Sequence, residues 1–186
     1  MTPQSIEAVR AELEVRDAGI VRLLLGLPPE TAPAPPPADA PEGEGGRGPS
    51  GRLAELRREL DAAYGAFLPP DFPAASAPAL RASLWDRIAG GARVVEAKRQ
   101  AAPELFAEAV RRADRAVLLR QITHPEVERQ VVRRAVRLAA RLQRPDAEPT
   151  VAALFRDIVI PMTRAVQVEW LLAAAPAGLP PAEAPP

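Results

Sequence analysis

Two long cationic side chains stand at helical spacing near the middle of the chain. Arg87, Gly91, Val94 and Lys98 fall at i, i+4, i+7 and i+11, and eleven residues are close to three helical turns. Arg87 and Lys98 therefore share one helix face, about 16 Å apart at about 1.5 Å per residue. With small residues between them, they could converge on a compact anion. Spacing alone fits two solvated surface charges equally well, although Lys98 is the only lysine of the chain.

Other polar residues occur in patterns that have both a functional and a structural explanation. Thr163 and Gln167 lie one turn apart in the apolar run ALFRDIVIPMTRAVQVEWLL, where they could bond to a ligand, to each other or to neighbouring backbone. His124 and Glu128 have the same spacing at a helix start, where capping and the helix dipole explain them without a ligand. Arg10, in the first amphipathic segment, is by itself an ordinary arginine.

Composition narrows the class of protein. The 186 residues suit one domain, and the 24 Lys plus Arg balance the 24 Asp plus Glu, which argues against general affinity for nucleic acid or acidic membranes. The chain has no cysteine and one histidine, so we expect no thiol nucleophile, no thiolate metal site and no histidine-based metal cluster. The first residues do not resemble a signal peptide, and no apolar run is long enough to span a membrane. We therefore expect a cytoplasmic protein.

The elements that must position these residues are all helical, since apolar residues recur at helical spacing and no strand alternation occurs. We predict one helical domain over residues 1–175, a bundle with a flexible Pro-rich loop at residues 27–51, and a disordered tail at residues 176–186. Ser5 should cap the first helix, Thr123 with Glu126 fits a capping box, and Pro161 should kink the last helix. The predicted helices span residues 5–26, 52–67, 80–100, 103–112, 114–121, 125–143 and 150–174.

Three segments together resemble one enzyme family. WDRIAGGARVVEAK, ITHPEVE and LFRDIVIPMTRAVQVEWLL are similar to the helical chorismate mutases, specifically to their fungal and plant-type branch in a shortened form. The first helix, IEAVRAELEVRDAGIVRLL, looks like the opening helix of that family. The resemblance covers about two-thirds of the chain, and it implies the all-α chorismate mutase bundle and a homodimer.

The resemblance also implies a role for each polar residue. Arg10 and Arg87 would bind the two carboxylates of chorismate, for which planar guanidinium groups are suited. Lys98 and Gln167 would both donate to the ether oxygen of the breaking bond. Residues that would hold the ring hydroxyl or support the carboxylate side of the pocket are Glu128, His124 and Thr163.

The implied reaction is the rearrangement of chorismate to prephenate in phenylalanine and tyrosine biosynthesis. It takes place within one molecule and needs no nucleophile, metal or cofactor, only positioning and electrostatic stabilisation. This chain departs from the branch at two places, having Gln167 where Glu is usual and His124 where Asn is usual. The stretch that would carry the effector site of regulated relatives, AASAPALRAS, does not match, although Arg57 and Arg58 leave effector binding open.

Other functions remain open at this point. A mutase acting on 4-amino-4-deoxychorismate would use the same pocket, because Glu128 can accept a hydrogen bond from a hydroxyl or from an amine. A lyase releasing pyruvate from isochorismate would also fit. Outside enzymes, the chain could be a non-catalytic helical interaction protein that uses its Pro-rich loop as a partner ligand.

Overall fold

A computed structural model describes residues 5–28, 50–68 and 72–174. These residues form helices and connecting turns and contain no strand, which confirms the all-α prediction for the described ranges. The predicted tail and most of the predicted Pro-rich loop lie outside them. No helix in these ranges is long and apolar enough to cross a bilayer. The described residues form the α-helices α1 Ile6–Leu24, α2 Ser50–Phe67, α3 Ala77–Gly90, α4 Ala92–Ala101, α5 Glu104–Arg111, α6 Arg115–Ile122, α7 Pro125–Arg141, α8 Glu148–Ala153 and α9 Ile160–Ala173.

The helices pack around a long C-terminal helix. α9 contacts α2, α3, α4 and α6, whereas α1 contacts α3, α4 and α7. A large apolar core, which includes Ile20, Leu84, Ile88 and Phe155, joins most of these helices. A smaller core around Phe106 and Leu118 holds α5 and α6 against α4 and α9. The α3–α4 segment is therefore held between α1 on one side and α9 on the other.

The segment predicted as one helix over residues 80–100 is divided at Gly91. The Gly91 N–H bonds to Ile88 O, and the Val94 N–H bonds to Gly91 O, both at 3.1 Å. Each bond joins residues three positions apart, whereas an α-helical bond joins residues four positions apart, so the helix tightens locally. Gly91 keeps helical dihedral angles, φ −60° and ψ −28°. The direction of the chain is retained, and Arg87 and Lys98 stay on the same side.

Gly91 also allows α9 to come close. A Cβ atom added to Gly91 would lie 2.4 Å from Cγ2 of Thr163 and 3.0 Å from Ile88 O. Both distances are below ordinary van der Waals contact, so only glycine fits at this crossing. The same bare backbone brings the side chain of Gln167 within reach of the Gly91 carbonyl.

The last helix is widened before its proline. A π-helical turn, Leu154–Val159, joins α8 to α9, and the Ile160 N–H bonds to Phe155 O, five residues earlier. Pro161 has no N–H, and its ring would collide with a carbonyl of the preceding turn. The wider turn accommodates both effects and continues one helix from α8 into α9.

Of the two capping interactions predicted at helix starts, one is correct and one is wrong. Ser5 caps α1, because its hydroxyl accepts from the Ala8 N–H at 3.1 Å. The capping box predicted at the start of α7 is wrong. Thr123 instead ends α6 and donates its hydroxyl to Leu119 O at 2.6 Å. His124 occupies the N-cap position of α7 without a side-chain cap, and Pro125 takes the first helical position.

Candidate active site

All seven predicted site residues line one cavity. It has a volume of about 280 Å³ and lies where α1, α3, α4, α7 and α9 meet. The helices that supply it are distant in sequence, so the packing of α9 and α1 on the α3–α4 segment creates it. The predicted residues that line it are Arg10, Arg87, Lys98, His124, Glu128, Thr163 and Gln167. Arg10 reaches the cavity of its own chain.

Gln167 is held in one orientation at the floor of the cavity. Its Nε2 donates to Gly91 O at 2.9 Å, and the residue is 9% exposed. A carbonyl can only accept, so the amide nitrogen must face it. An amide nitrogen carries two hydrogens, and Gly91 uses one of them. The other remains available to a ligand.

Arg87 is anchored from beneath by an acid on α1. Its Nε donates to Asp17 Oδ1 at 2.5 Å, and both side chains are buried. Burial raises the pKa of Asp17, while the charge of Arg87 and its hydrogen bond oppose that rise. Asp17 therefore fixes the position of the guanidinium group, and the sequence analysis did not assign it this role.

Lys98 and His124 form a contact at the mouth of the cavity. Lys98 Nζ lies 2.7 Å from His124 Nε2, and because an ammonium group can only donate, the imidazole nitrogen accepts. Burial lowers the pKa of His124, the positive charges of Lys98 and Arg10 lower it further, and Glu128 opposes them. Burial also lowers the pKa of Lys98, with a further contribution from Arg10. The contact thus holds a neutral histidine against a charged lysine.

Glu128 is paired with an arginine that the sequence analysis missed. Arg164 Nε donates to Glu128 Oε1 at 2.7 Å, and Arg164 Nη2 donates to Glu128 Oε2. The pair joins α9 to α7 at the cavity wall. Helical spacing could have indicated that Arg164 lies on the same face of α9 as the site residues. The cavity-lining residues of that helix, at i, i+3, i+4 and i+7, are Ile160, Thr163, Arg164 and Gln167.

Thr163 makes its contacts within the protein, although its position in the sequence also allowed a contact to a ligand. Its hydroxyl donates to Val159 O at 2.7 Å within its own helix, and its methyl group faces Gly91. The alternative that Thr163 and Gln167 bond to each other is wrong, since each donates to a backbone carbonyl instead. The hydroxyl hydrogen of Thr163 is thereby engaged within the protein.

Among the described residues, two cations at the cavity have no carboxylate partner. Arg87 faces Asp17, Arg164 faces Glu128, and the exposed Arg134 faces Glu14. In residues 5–28, 50–68 and 72–174, by contrast, neither Arg10 nor Lys98 has a carboxylate partner. The positive charge of Arg10 lowers the pKa of Lys98, and the charges of both lower the pKa of His124. Fold and site together define a helical bundle with a small cavity suited to a compact dianion.

Comparison with known proteins agrees with this description. No protein-family profile matches the chain. It is 34% identical over 106 aligned positions to chorismate mutase 1, chloroplastic, of Petunia hybrida, covering 48% of this chain and 32% of that protein. It is 35% identical over 101 positions to the chorismate mutase of Schizosaccharomyces pombe, covering 49% of this chain and 40% of that protein.

The resemblance to plant and fungal chorismate mutases is therefore confirmed over about half of the chain. The matched part spans between a third and two-fifths of the length of these relatives.

Proposed function

We propose that this protein is a chorismate mutase, an isomerase that converts chorismate to prephenate for phenylalanine and tyrosine biosynthesis. The observation that carries the proposal is a pair of cations, Arg10 and Lys98, that have no carboxylate partner within the described part of the chain and line a cavity with the Gln167 amide. Chorismate is a dianion, and its rearrangement takes place within one molecule. Two fixed positive charges would balance its two carboxylates and favour entry of one compact, doubly charged ligand.

The residues divide the work in the following way. Arg87, held by Asp17, and Arg10 bind the carboxylates. Lys98 and the second N–H of Gln167 donate to the ether oxygen, where negative charge builds as the C–O bond breaks. Donors already in place at that atom stabilise the transition state more than the ground state, which is the condition for catalysis.

Three residues complete the proposed pocket. Glu128 accepts from the ring hydroxyl of the substrate. His124, by accepting from Lys98, holds the ammonium group at the mouth of the cavity. Thr163 contributes chiefly by its packing against Gly91 on the carboxylate side.

The direct test is turnover of chorismate by purified protein, followed by the loss of its ultraviolet absorbance and by identification of prephenate. Lys98→Ala should lower kcat/KM by about a hundredfold to a thousandfold, as removal of a transition-state donor does. Arg99→Ala is the matched control, because the next cation of α4 pairs with Glu96 and does not line the cavity. Unchanged circular dichroism of both variants would assign the loss to chemistry. No turnover of chorismate or its 4-amino analogue would favour the interaction protein.

The homodimer and the cytoplasmic location remain predictions. The family resemblance is what supports the dimer, and analytical ultracentrifugation of the full chain tests it directly. The expected species has twice the mass of the single chain, which is 19.9 kDa. A monomer at micromolar concentration would contradict the dimer.

A further inference from the structure

The carboxylate proposed to face the substrate ring is not free. Both oxygens of Glu128 accept from the guanidinium group of Arg164, one of them at 2.7 Å. The side chains are only 29% and 21% exposed for Arg164 and Glu128, respectively. A two-point contact of this kind holds both groups in one geometry. Each carboxylate oxygen still has a lone pair that can accept one further hydrogen bond.

This pairing changes what Glu128 can recognise. An unpaired carboxylate attracts a cation more strongly than a neutral donor, but a carboxylate already facing a guanidinium group has little net charge to offer. A second cation at the same carboxylate would meet the positive charge of Arg164 at close range. A neutral hydroxyl meets no such repulsion and needs only the remaining lone pair.

We propose that Arg164 determines substrate specificity, making the pocket select a neutral hydroxyl over an ammonium group at ring position C4. The inference rests on the proposed function and chooses between two substrates that Glu128 alone cannot separate. An aliphatic amine is protonated at neutral pH, so 4-amino-4-deoxychorismate presents a cation where chorismate presents a hydroxyl.

The rest of the cavity favours the same choice. Arg10 and Lys98 lack carboxylate partners in the described ranges, so two positive charges await a ligand. Chorismate has a net charge of minus two, whereas the amino analogue, with two carboxylates and one ammonium group, has a net charge of minus one. The local repulsion at Arg164 and the overall charge balance thus select the hydroxyl compound for separate reasons.

The experiment measures kcat/KM for chorismate and for 4-amino-4-deoxychorismate at pH 7.5, and the ratio of the two is the readout. Wild-type protein should prefer chorismate. Arg164→Met, which keeps the length of the side chain and removes its charge, should shift the ratio toward the amine by about tenfold or more, the size expected for loss of one nearby like charge. Arg164→Lys keeps the charge and should retain most of the preference.

Two controls separate specificity from general damage. Arg134→Met removes another paired arginine of the same cavity, and it should shift the ratio less than Arg164→Met does, because its partner is Glu14 and not Glu128. Glu128→Gln should move the ratio in the opposite direction, further toward chorismate, because it leaves the charge of Arg164 unopposed beside the ring position.

The outcomes distinguish the two proposals. Turnover of neither compound by wild-type protein overturns the proposed function and this inference with it. Turnover of chorismate with the same ratio in Arg164→Met and wild type overturns the inference alone, as does a wild-type preference for the amine. A Glu128→Gln ratio that moves toward the amine also overturns it, since the unopposed charge of Arg164 would then not repel the ammonium group.

Discussion

Replacing Gln167 by glutamate tests the geometry of the cavity floor. Gln167 Nε2 donates to Gly91 O at 2.9 Å. A glutamate placed there would direct a carboxylate oxygen at a carbonyl oxygen inside the protein, where neither can donate. The contact is restored only if the carboxyl group holds a proton, so we expect Gln167→Glu to be active only in acid.

The size of the effect follows from the lost hydrogen bond. Leaving a buried acceptor unsatisfied costs about 1–3 kcal/mol, and one pKa unit corresponds to about 1.4 kcal/mol. The pKa of the introduced carboxyl group should therefore rise by about one to two units from about 4.3. Activity should fall with a midpoint at about pH 5.3–6.3, and by about tenfold for each pH unit above it.

The assay is kcat/KM for chorismate between pH 5 and 8.5. Wild-type activity should be nearly flat from neutral to mildly alkaline pH, because an amide donates at any pH. The double variant His124→Asn with Gln167→Glu removes the histidine as a second titrating group and should keep the acid midpoint. A flat profile for Gln167→Glu would refute the role of the Gly91 carbonyl, and a steep wild-type loss with a midpoint near 7 would refute the role of Gln167.

Three further predictions concern the elements around the site. Gly91→Ala should destabilise the protein by about 1–3 kcal/mol through overpacking, since the added Cβ would lie 2.4 Å from a methyl group of α9. The control is Gly19→Ala, whose Cβ would have nothing within 4 Å and which should stabilise α1 by up to about 1 kcal/mol. Equal urea midpoints for the two variants would contradict both expectations. Asp17→Asn should cost about 3–5 kcal/mol and raise KM, because it leaves the buried Arg87 without its counter-ion; a stability within 1 kcal/mol of wild type in urea unfolding would be evidence against that pair. In wild type, kcat should fall as pH drops below about 6.5, the ordinary histidine pKa, because burial and nearby cations lower the pKa of His124 and the imidazolium that forms in acid can no longer accept from Lys98. His124→Asn should abolish this fall, since its amide oxygen accepts at any pH, and a wild-type kcat that stays level in acid would contradict it.

The helices were predictable because their signals are local. Apolar spacing and the Ser5 cap act within a few residues of each other, so they can be read along the chain. The shared face of Arg87 and Lys98 was predictable for the same reason, since helix geometry determines it. Thr123 shows the limit of such reasoning. A capping box and an end cap of the preceding helix use the same residue type, and the position of the turn decides between them.

The roles of the candidate residues depended on contacts between distant helices. That Gln167 has one donor directed at Gly91 follows from the crossing of α9 over a bare backbone, 76 positions away in sequence. The pairing of Arg164 with Glu128 and of Arg87 with Asp17 joins residues 36 and 70 positions apart. The sequence by itself therefore determined the helical class, the resemblance and the residues that face one side of each helix. Only the tertiary structure decided which charges cancel and which two remain for a ligand, because charge compensation depends on distances between helices that no local spacing sets.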